Sequence, residues 1–164
     1  MLHLIPAPLH RLLYRAADRT RRVWWRIRPS PRTGVVVIAF DEQGRVLLAR
    51  HSYGPPAWTL PGGGIGRGEL PEQAAVREIR EELGCGLADL VPVDVDEHLP
   101  GSLDHQQVFA GRLVGEPVAD MREITAIAWV DPENLPEPCG RRSRRRIVQA
   151  LAQRRAAAAR SEQR

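Results

Sequence analysis

Glu78, Glu81 and Glu82 fall within roughly 100° of arc when residues 71–83 are wound as a helix, so three carboxylates would share one face. Glutamates on a helix ordinarily mark a solvated face, but here the arrangement carries costs that hydration alone does not offset. Glu78 and Glu82 are like charges at i and i+4, unfavourable by ~0.2–0.5 kcal/mol. Glu81 and Glu82 stand in the last turn, where the negative end of the helix dipole opposes each exposed carboxylate by ~0.3–1 kcal/mol. A hard cation held by these oxygens reverses the sign of both effects. An all-oxygen donor set favours Mg²⁺, with Mn²⁺ an acceptable substitute. Just upstream, Pro61-Gly62-Gly63-Gly64 offers backbone that can turn sharply, approach a ligand closely or present a carbonyl to a metal. Glu69, eight residues before Arg77, can reach back to that guanidinium as a bidentate pair and clamp loop to helix. Loop, clamp and acidic face together have the chemistry of a metal–pyrophosphate site.

These groups need rigid elements to hold them. Val76, Ile79 and Leu83 project from the other side of the helix and are expected to fix it to a sheet, while Ala74 shares the acidic face and leaves room there. Pro71 suits a first helical turn, and Gly84 and Gly86 stop the helix. Upstream, the β-branched run at residues 35–40, the turn Asp41-Glu42-Gln43-Gly44 and the apolar residues 46–49 read as a hairpin, closed by Gly54-Pro55-Pro56. Residues 90–95, 108–113 and 124–130 read as further strands. A last helix is expected to begin near Ser143, to bury Ile147, Val148 and Leu151, and to fray from Arg154 onward. Strands on both sides of one central helix imply an α/β fold with a mixed sheet packed between helices.

The chain's 164 residues, 43% hydrophobic and 27% charged, suit one globular domain with a sizeable core. Two cysteines exclude a disulfide scaffold, and no apolar run approaches the length of a membrane span. Arg21-Arg22 lacks the apolar stretch that follows a twin-arginine export signal, so a cytoplasmic protein is expected. The net charge of +4 hides a segregation: +7 over residues 1–32, −11 over 33–139 and +8 over 140–164, with arginine as the only basic type. An acidic centre repels phosphate unless a divalent cation neutralises it, which argues against nucleic acid as the partner. Leu9, Leu12, Leu13, Ala16, Val23, Trp24 and Ile27 recur at helical spacing among arginines. This basic amphipathic extension is expected to dock on the domain or on a second copy in a homodimer, ahead of peripheral membrane contact. The expected organisation is extension 1–32, domain 33–153 and an Arg/Ala-rich tail 154–164.

Gly63, Glu69 and the run Arg77-Glu78-Ile79-Arg80-Glu81-Glu82-Leu83-Gly84-Cys85, at these spacings, resemble the Nudix box at every fixed position. Cys85 stands where that family usually has an aliphatic residue, a place a small buried thiol can fill. Leu70 stands where a capping Ser or Thr is common, with Pro71 pre-setting the turn. The resemblance extends to Val46-Leu47-Leu48-Ala49-Arg50, to Trp58-Thr59-Leu60-Pro61-Gly62-Gly63, and to Ala128-Trp129-Val130 before Leu135-Pro136. It implies a Nudix-type α/β/α sandwich and metal-dependent hydrolysis of a nucleoside diphosphate linked to another moiety. Carried over by position, Glu78 and Glu82 resemble the principal metal ligands and Glu81 a further ligand or a water-orienting carboxylate. Gly62 resembles the donor of a backbone carbonyl, and Arg77 and Glu69 the orienting pair. Gly63, Gly64 and Arg50 are assigned to the substrate side. Family members take the general base from the box or from a later loop. Glu123 is the candidate here, with Asp120 beside it and Glu97 and Asp104 as alternatives.

Pro100 resembles a downstream proline associated with ADP-ribose pyrophosphatases, which places ADP-ribose or a nucleotide sugar slightly ahead of nucleoside triphosphates and dinucleoside polyphosphates as the small-molecule substrate. Capped or 5′-phosphorylated RNA is a further option that the arginine-rich ends would serve. A nucleotide-sensing module without turnover is the rival reading, and the intact set of carboxylates weighs against it. His51, His98 and His105 have no metal-like spacing and read as loop or solvent hydrogen bonders. Cys139 reads as loop filler.

Overall fold

The computed structural model describes residues 32–95 and 104–162. In chain order these form β1 (Arg32–Phe40), β2 (Val46–His51), α1 (Pro71–Leu83), β3 (Gly86–Val93), β4 (Asp104–Val114), β5 (Ile124–Val130) and α2 (Arg141–Glu162). The strands make one sheet in the order β3-β4-β1-β2-β5, with β1 parallel to β4 and the other neighbours antiparallel.

Successive side chains of a strand point to opposite faces, and β1 shows how a continuous apolar run serves both. Val35, Val37 and Ala39 join Leu47 of β2 and Phe109 of β4 beneath Ala74, Ala75, Ile79 and Leu83 of α1. Val36, Ile38 and Phe40 join Val46, Leu48, Val108 and Ala110 beneath Ile147 and Ala150 of α2. The result is the expected α/β/α sandwich. Burying each of the larger of these side chains contributes ~1.5–3 kcal/mol and each alanine methyl ~0.8 kcal/mol, so both helices are anchored by several residues rather than one.

The structure corrects six local expectations. The 35–49 hairpin is closed only at its turn, where Phe40 pairs with Val46. Beyond that the strands diverge, and the segment carrying the glycines lies between them. Thr59 exchanges both backbone bonds with Ala49 of β2 (2.8 and 2.9 Å), while Val37 and Val35 of β1 donate to the carbonyls of Pro61 and Gly63 (both 2.9 Å). The glycine loop is thus bonded into the sheet on both sides. β3 starts at Gly86, earlier than residue 90, and carries an irregularity between Ala88 and Val91 with Asp89 at φ 55°.

On α2 the buried arc runs through Ser143, Arg146, Ile147 and Ala150, which leaves Val148 nearly opposite and 57% exposed, outside the core. That helix also does not fray at Arg154 but continues to Glu162, as the strong helix preference of Ala156–Ala159 allows, and Arg154 lies over the Phe40 ring at 4.0 Å. Ala74 is fully buried against the sheet and leaves no open room beside the acids, and Cys139 is a core residue packed with Leu60 and Leu135. Residues 9–27, with the expected amphipathic helix, and Glu97, His98 and Pro100 lie outside the described residues. No helix among the described residues is long and apolar enough to cross a membrane.

Candidate active site

α1 is set at both ends by local chemistry. Its N-terminus lacks a side-chain oxygen at Leu70, but Gln73 Oε1 accepts the Leu70 N–H at 3.2 Å, half of a capping box, and Pro71 fills the first position. At the other end Gly84 adopts φ 67° and donates to the Arg80 carbonyl at 3.0 Å. The buried stripe of Ala74, Ala75, Ile79 and Leu83 then fixes the rotation of the helix, with Val76 half-buried at its border.

That rotation carries Glu82 inward. Its carboxylate is 4% exposed and accepts the Gly62 N–H at 3.1 Å through Oε2. Gly62 sits at φ 141°, and a Cβ there would stand 2.3 Å from the Val35 carbonyl oxygen, so only glycine fits. At Gly63 a Cβ would fall 2.5 Å from the Glu78 Cδ: the bare backbone lies flat against that carboxylate. Gly64 has open space where a Cβ would be, and its role lies in its carbonyl.

Arg77 ties these parts together. Its Nε and Nη2 donate to the two oxygens of Glu69 at 2.8 and 2.9 Å, the bidentate pair that the spacing suggested. Nη2 also donates to the Gly64 carbonyl at 2.9 Å, and Nη1 to Glu78 Oε1 at 2.8 Å and Glu81 Oε2 at 3.2 Å. Glu69 accepts the Gly66 N–H at 2.7 Å as well. The Arg77 guanidinium first, and that backbone donor second, hold the Glu69 carboxyl down to about 2. Lysine offers a point charge in place of a planar fork, so Arg77→Lys should lower kcat/KM by ~10²-fold, equivalent to ~2.7 kcal/mol. Steady-state kinetics on a variant whose circular dichroism matches wild type would check this, and near-wild-type turnover would remove Arg77 from the positioning role.

The loop before β5 completes the cluster. The last carbonyls of α1 would otherwise be unpaired, and Leu83 accepts the Val118 N–H at 2.9 Å while Glu82 accepts the Asp120 N–H at 3.2 Å. Ser52, just past β2, donates to the Glu123 carbonyl at 2.7 Å. Glu123 thereby comes within electrostatic reach of both box carboxylates. Burial, more than any other cause, pushes the Glu78 carboxyl up against the pull of Arg77, with the charges of Glu81 and Glu123 adding to the rise. Glu82 is pushed well above the ordinary range, again chiefly by burial, against the Gly62 N–H and with the charges of Glu78, Glu123 and Asp120 adding.

Gly62, Gly63, Gly64, Glu69, Arg77, Glu78, Glu81, Glu82 and Glu123 therefore stand together. Arg50 does not join them by any hydrogen bond; its guanidinium lies over the Trp58 ring at 4.4 Å, on the flank where β2 meets the loop. His105 is exposed at the start of β4. His51 Nδ1 is buried and finds no hydrogen-bond partner among the described residues, unlike the expected loop or solvent hydrogen bonder, and burial lowers the affinity of this side chain for a proton while Asp120 opposes this. Sequence reasoning also missed the structural part played by Asp120, described below. Its signal was an Asp followed within four residues by the start of a strand, a common turn-forming pattern.

The donor set suits a hard cation. Glu78 and Glu82 each have one oxygen pinned, by Arg77 and by Gly62, and one that accepts no hydrogen bond among the described residues. The Gly62 carbonyl is likewise uncommitted there. Among the described residues no three ligating side chains converge on one point. Two carboxylates with water and phosphate oxygens are, however, the usual ligand set of Mg²⁺.

Residues 30–151 match the NUDIX domain family. The chain is 38% identical over 104 residues to a putative 8-oxo-dGTP diphosphatase of Bacillus subtilis, spanning 63% of this chain and 68% of that protein. An RNA pyrophosphohydrolase of Rhodospirillum rubrum is 36% identical over 124 residues, spanning 63% of this chain and 74% of that one. Among solved structures, a MutT NUDIX hydrolase from Burkholderia pseudomallei aligns with TM-score 0.63 and 29% identity over 73% of this chain and 98% of that one.

Proposed function

Because the chain belongs to the Nudix hydrolase family, we propose that it hydrolyses, with Mg²⁺, the pyrophosphate bond of a nucleoside diphosphate linked to a further group, releasing a nucleoside monophosphate. The observation that carries this reading is the pair Glu78 and Glu82, each with one oxygen fixed and one uncommitted, in an acidic cluster where Arg77 is divided among Glu69, Glu78 and Glu81. A pyrophosphate brings two or three more negative charges to that place and needs neutralisation before water can attack phosphorus. A cation bound there would supply that charge and a more acidic water.

Under this reading Glu78, Glu82 and the Gly62 carbonyl would hold the cation. Arg77 keeps Glu78 aimed by gripping Oε1, and Glu69 keeps Arg77 in its fork. Glu81, 61% exposed at the rim, orients the incoming water. Glu123 accepts the proton of that water as it displaces the leaving phosphate in line.

For the group beyond the diphosphate we favour a further phosphate, as in a purine nucleoside triphosphate. The 8-oxo-dGTP diphosphatase assignment of the 38% identical Bacillus subtilis relative supports that choice. ADP-ribose or a nucleotide sugar is the second reading, supported by Pro100. Nucleoside monophosphate release should be measured with 8-oxo-dGTP, unmodified nucleoside triphosphates, dinucleoside polyphosphates, ADP-ribose and nucleotide sugars, and pyrophosphate release with 5′-triphosphorylated RNA, each with Mg²⁺ and with chelator. The expected result is turnover of a triphosphate that chelator lowers by ~10³-fold or more. Full turnover in chelator overturns the metal-dependent reading, and preference for ADP-ribose transfers the assignment to the second.

A further inference from the structure

Asp120 makes more backbone contacts than any catalytic role requires. Its carboxylate accepts the N–H groups of Arg122 (3.0 Å), Glu123 (3.0 Å to Oδ1 and 3.2 Å to Oδ2) and Ile124 (2.8 Å). Its own N–H is bonded to the Glu82 carbonyl at 3.2 Å. One residue thus connects the backbone of a box glutamate to the backbone of Glu123. Between them Met121 is held at φ 58°, a left-handed conformation that a residue with a side chain keeps only where its surroundings impose it. The three donors gathered on Asp120 and the two bonds from this loop to the end of α1 supply that constraint.

We infer that Asp120 is a positioning residue, which fixes Glu123 against Glu82 by collecting the amides of residues 122–124 and anchoring them to the end of α1. The inference rests on the reading of Glu123 as the residue that takes the proton. It assigns Asp120 no contact with substrate or cation. Nearly all the work falls to Oδ1, which accepts from all three amides, so a neutral amide oxygen at the same place would serve.

Two variants separate this from a ligand or base role. Asp120→Asn keeps Oδ1 in place and loses the charge, whereas Asp120→Glu keeps the charge and moves the oxygens by a methylene. Positioning predicts that D120N retains kcat within ~3-fold and that D120E loses ~30-fold or more at little change in KM. A base or a metal ligand predicts the opposite order, and that order would overturn the inference. D120E combined with Glu123→Gln should turn over no more slowly than E123Q alone; a further loss equal to the full D120E effect would show that Asp120 acts independently of Glu123, and would also overturn it.

Hydrogen exchange of the 122–124 amides gives a readout that does not depend on chemistry at Glu123. Exchange should be faster than wild type in D120E and unchanged in D120N. Equal protection in D120E and wild type would refute the positioning role. Wild-type turnover in E123Q with the exchange pattern intact would instead remove Glu123 as the base and leave Asp120 as the anchor of its loop.

Discussion

Glu82→Gln should lose turnover by ~10³-fold or more, about 4 kcal/mol of transition-state stabilisation, while melting at a higher temperature than wild type when metal is absent. The two effects have one cause. Glu82 is 4% exposed, and its folded-state affinity for a proton is raised well above the ordinary 4.5 by burial first and then by the charges of Glu78, Glu123 and Asp120. A group shifted in that direction contributes stability that is fully present below its unfolded value of about 4.5 and is lost as pH rises through its folded value. At neutral and alkaline pH the metal-free protein therefore carries an anion that burial disfavours.

Glutamine removes that anion, and its amide oxygen still accepts the Gly62 N–H. The gain in melting temperature should be larger at pH 8 than at pH 5, on a scale of ~2–4 °C per kcal/mol for a chain of this size. Added Mg²⁺ should raise the melting temperature of wild type and leave that of E82Q nearly unchanged. Calorimetry in chelator and in Mg²⁺ at both pH values, with kinetics alongside, would check this. An E82Q protein less stable than wild type in chelator at pH 8 would end the account of Glu82 as a strained ligand.

Two adjacent glycines should fail in different ways when changed to alanine. At Gly62 the new Cβ meets backbone, 2.3 Å from the Val35 carbonyl oxygen and 2.9 Å from the Val36 Cα, at a φ of 141° that alanine does not adopt. Nothing there can rotate away. Gly62→Ala should cost ~3–4 kcal/mol of stability and lower the melting temperature by ~8 °C or more. At Gly63 the collision is with the end of the Glu78 side chain, 2.5 Å from its Cδ and Oε1. That side chain can swing, so Gly63→Ala should fold with a melting temperature within a few degrees of wild type. The swing breaks the bond from Arg77 to Glu78 and should lower both kcat and Mg²⁺ affinity by ~10²-fold. A fully active G63A, or a G62A of unchanged stability, would show that the loop does not press on the helix as described.

The site was more legible in the amino-acid order than the fold around it, for physical reasons. The i, i+4 acids, the glycines and the Glu69–Arg77 separation are local relations, set by the geometry of one helix and one short loop, and the structure realises the clamp as read. The continuous apolar run at residues 35–40 implies burial on both faces but is silent on which strand lies alongside. The hairpin reading accordingly missed that β1 pairs chiefly with β4, which is 72 residues distant along the chain at every paired position. Val148 was misplaced because apolar character alone was used to locate the inner arc of α2, whereas Ser143 and Arg146 are buried too, Ser143 Oγ accepting the Leu60 N–H at 3.2 Å and Arg146 donating to Gln106 at 2.7 Å. Asp120 was weighed only for its charge, because the backbone amides it would collect become visible only once the turn is drawn.

The divergence of β1 and β2 places the acids on two sides of a seam. Glu78 and Glu82 ride on α1, which rests on β1, β3 and β4, while Glu123 is tied to the β2–β5 pair by its bond to Ser52 and to the end of α1 through Asp120. The turn at residues 41–44 closes one end of that seam, and the glycine segment sets how far the other end stands open. The thickness of a nearly side-chain-free stretch of backbone thus gauges the aperture across which the carboxylates face one another.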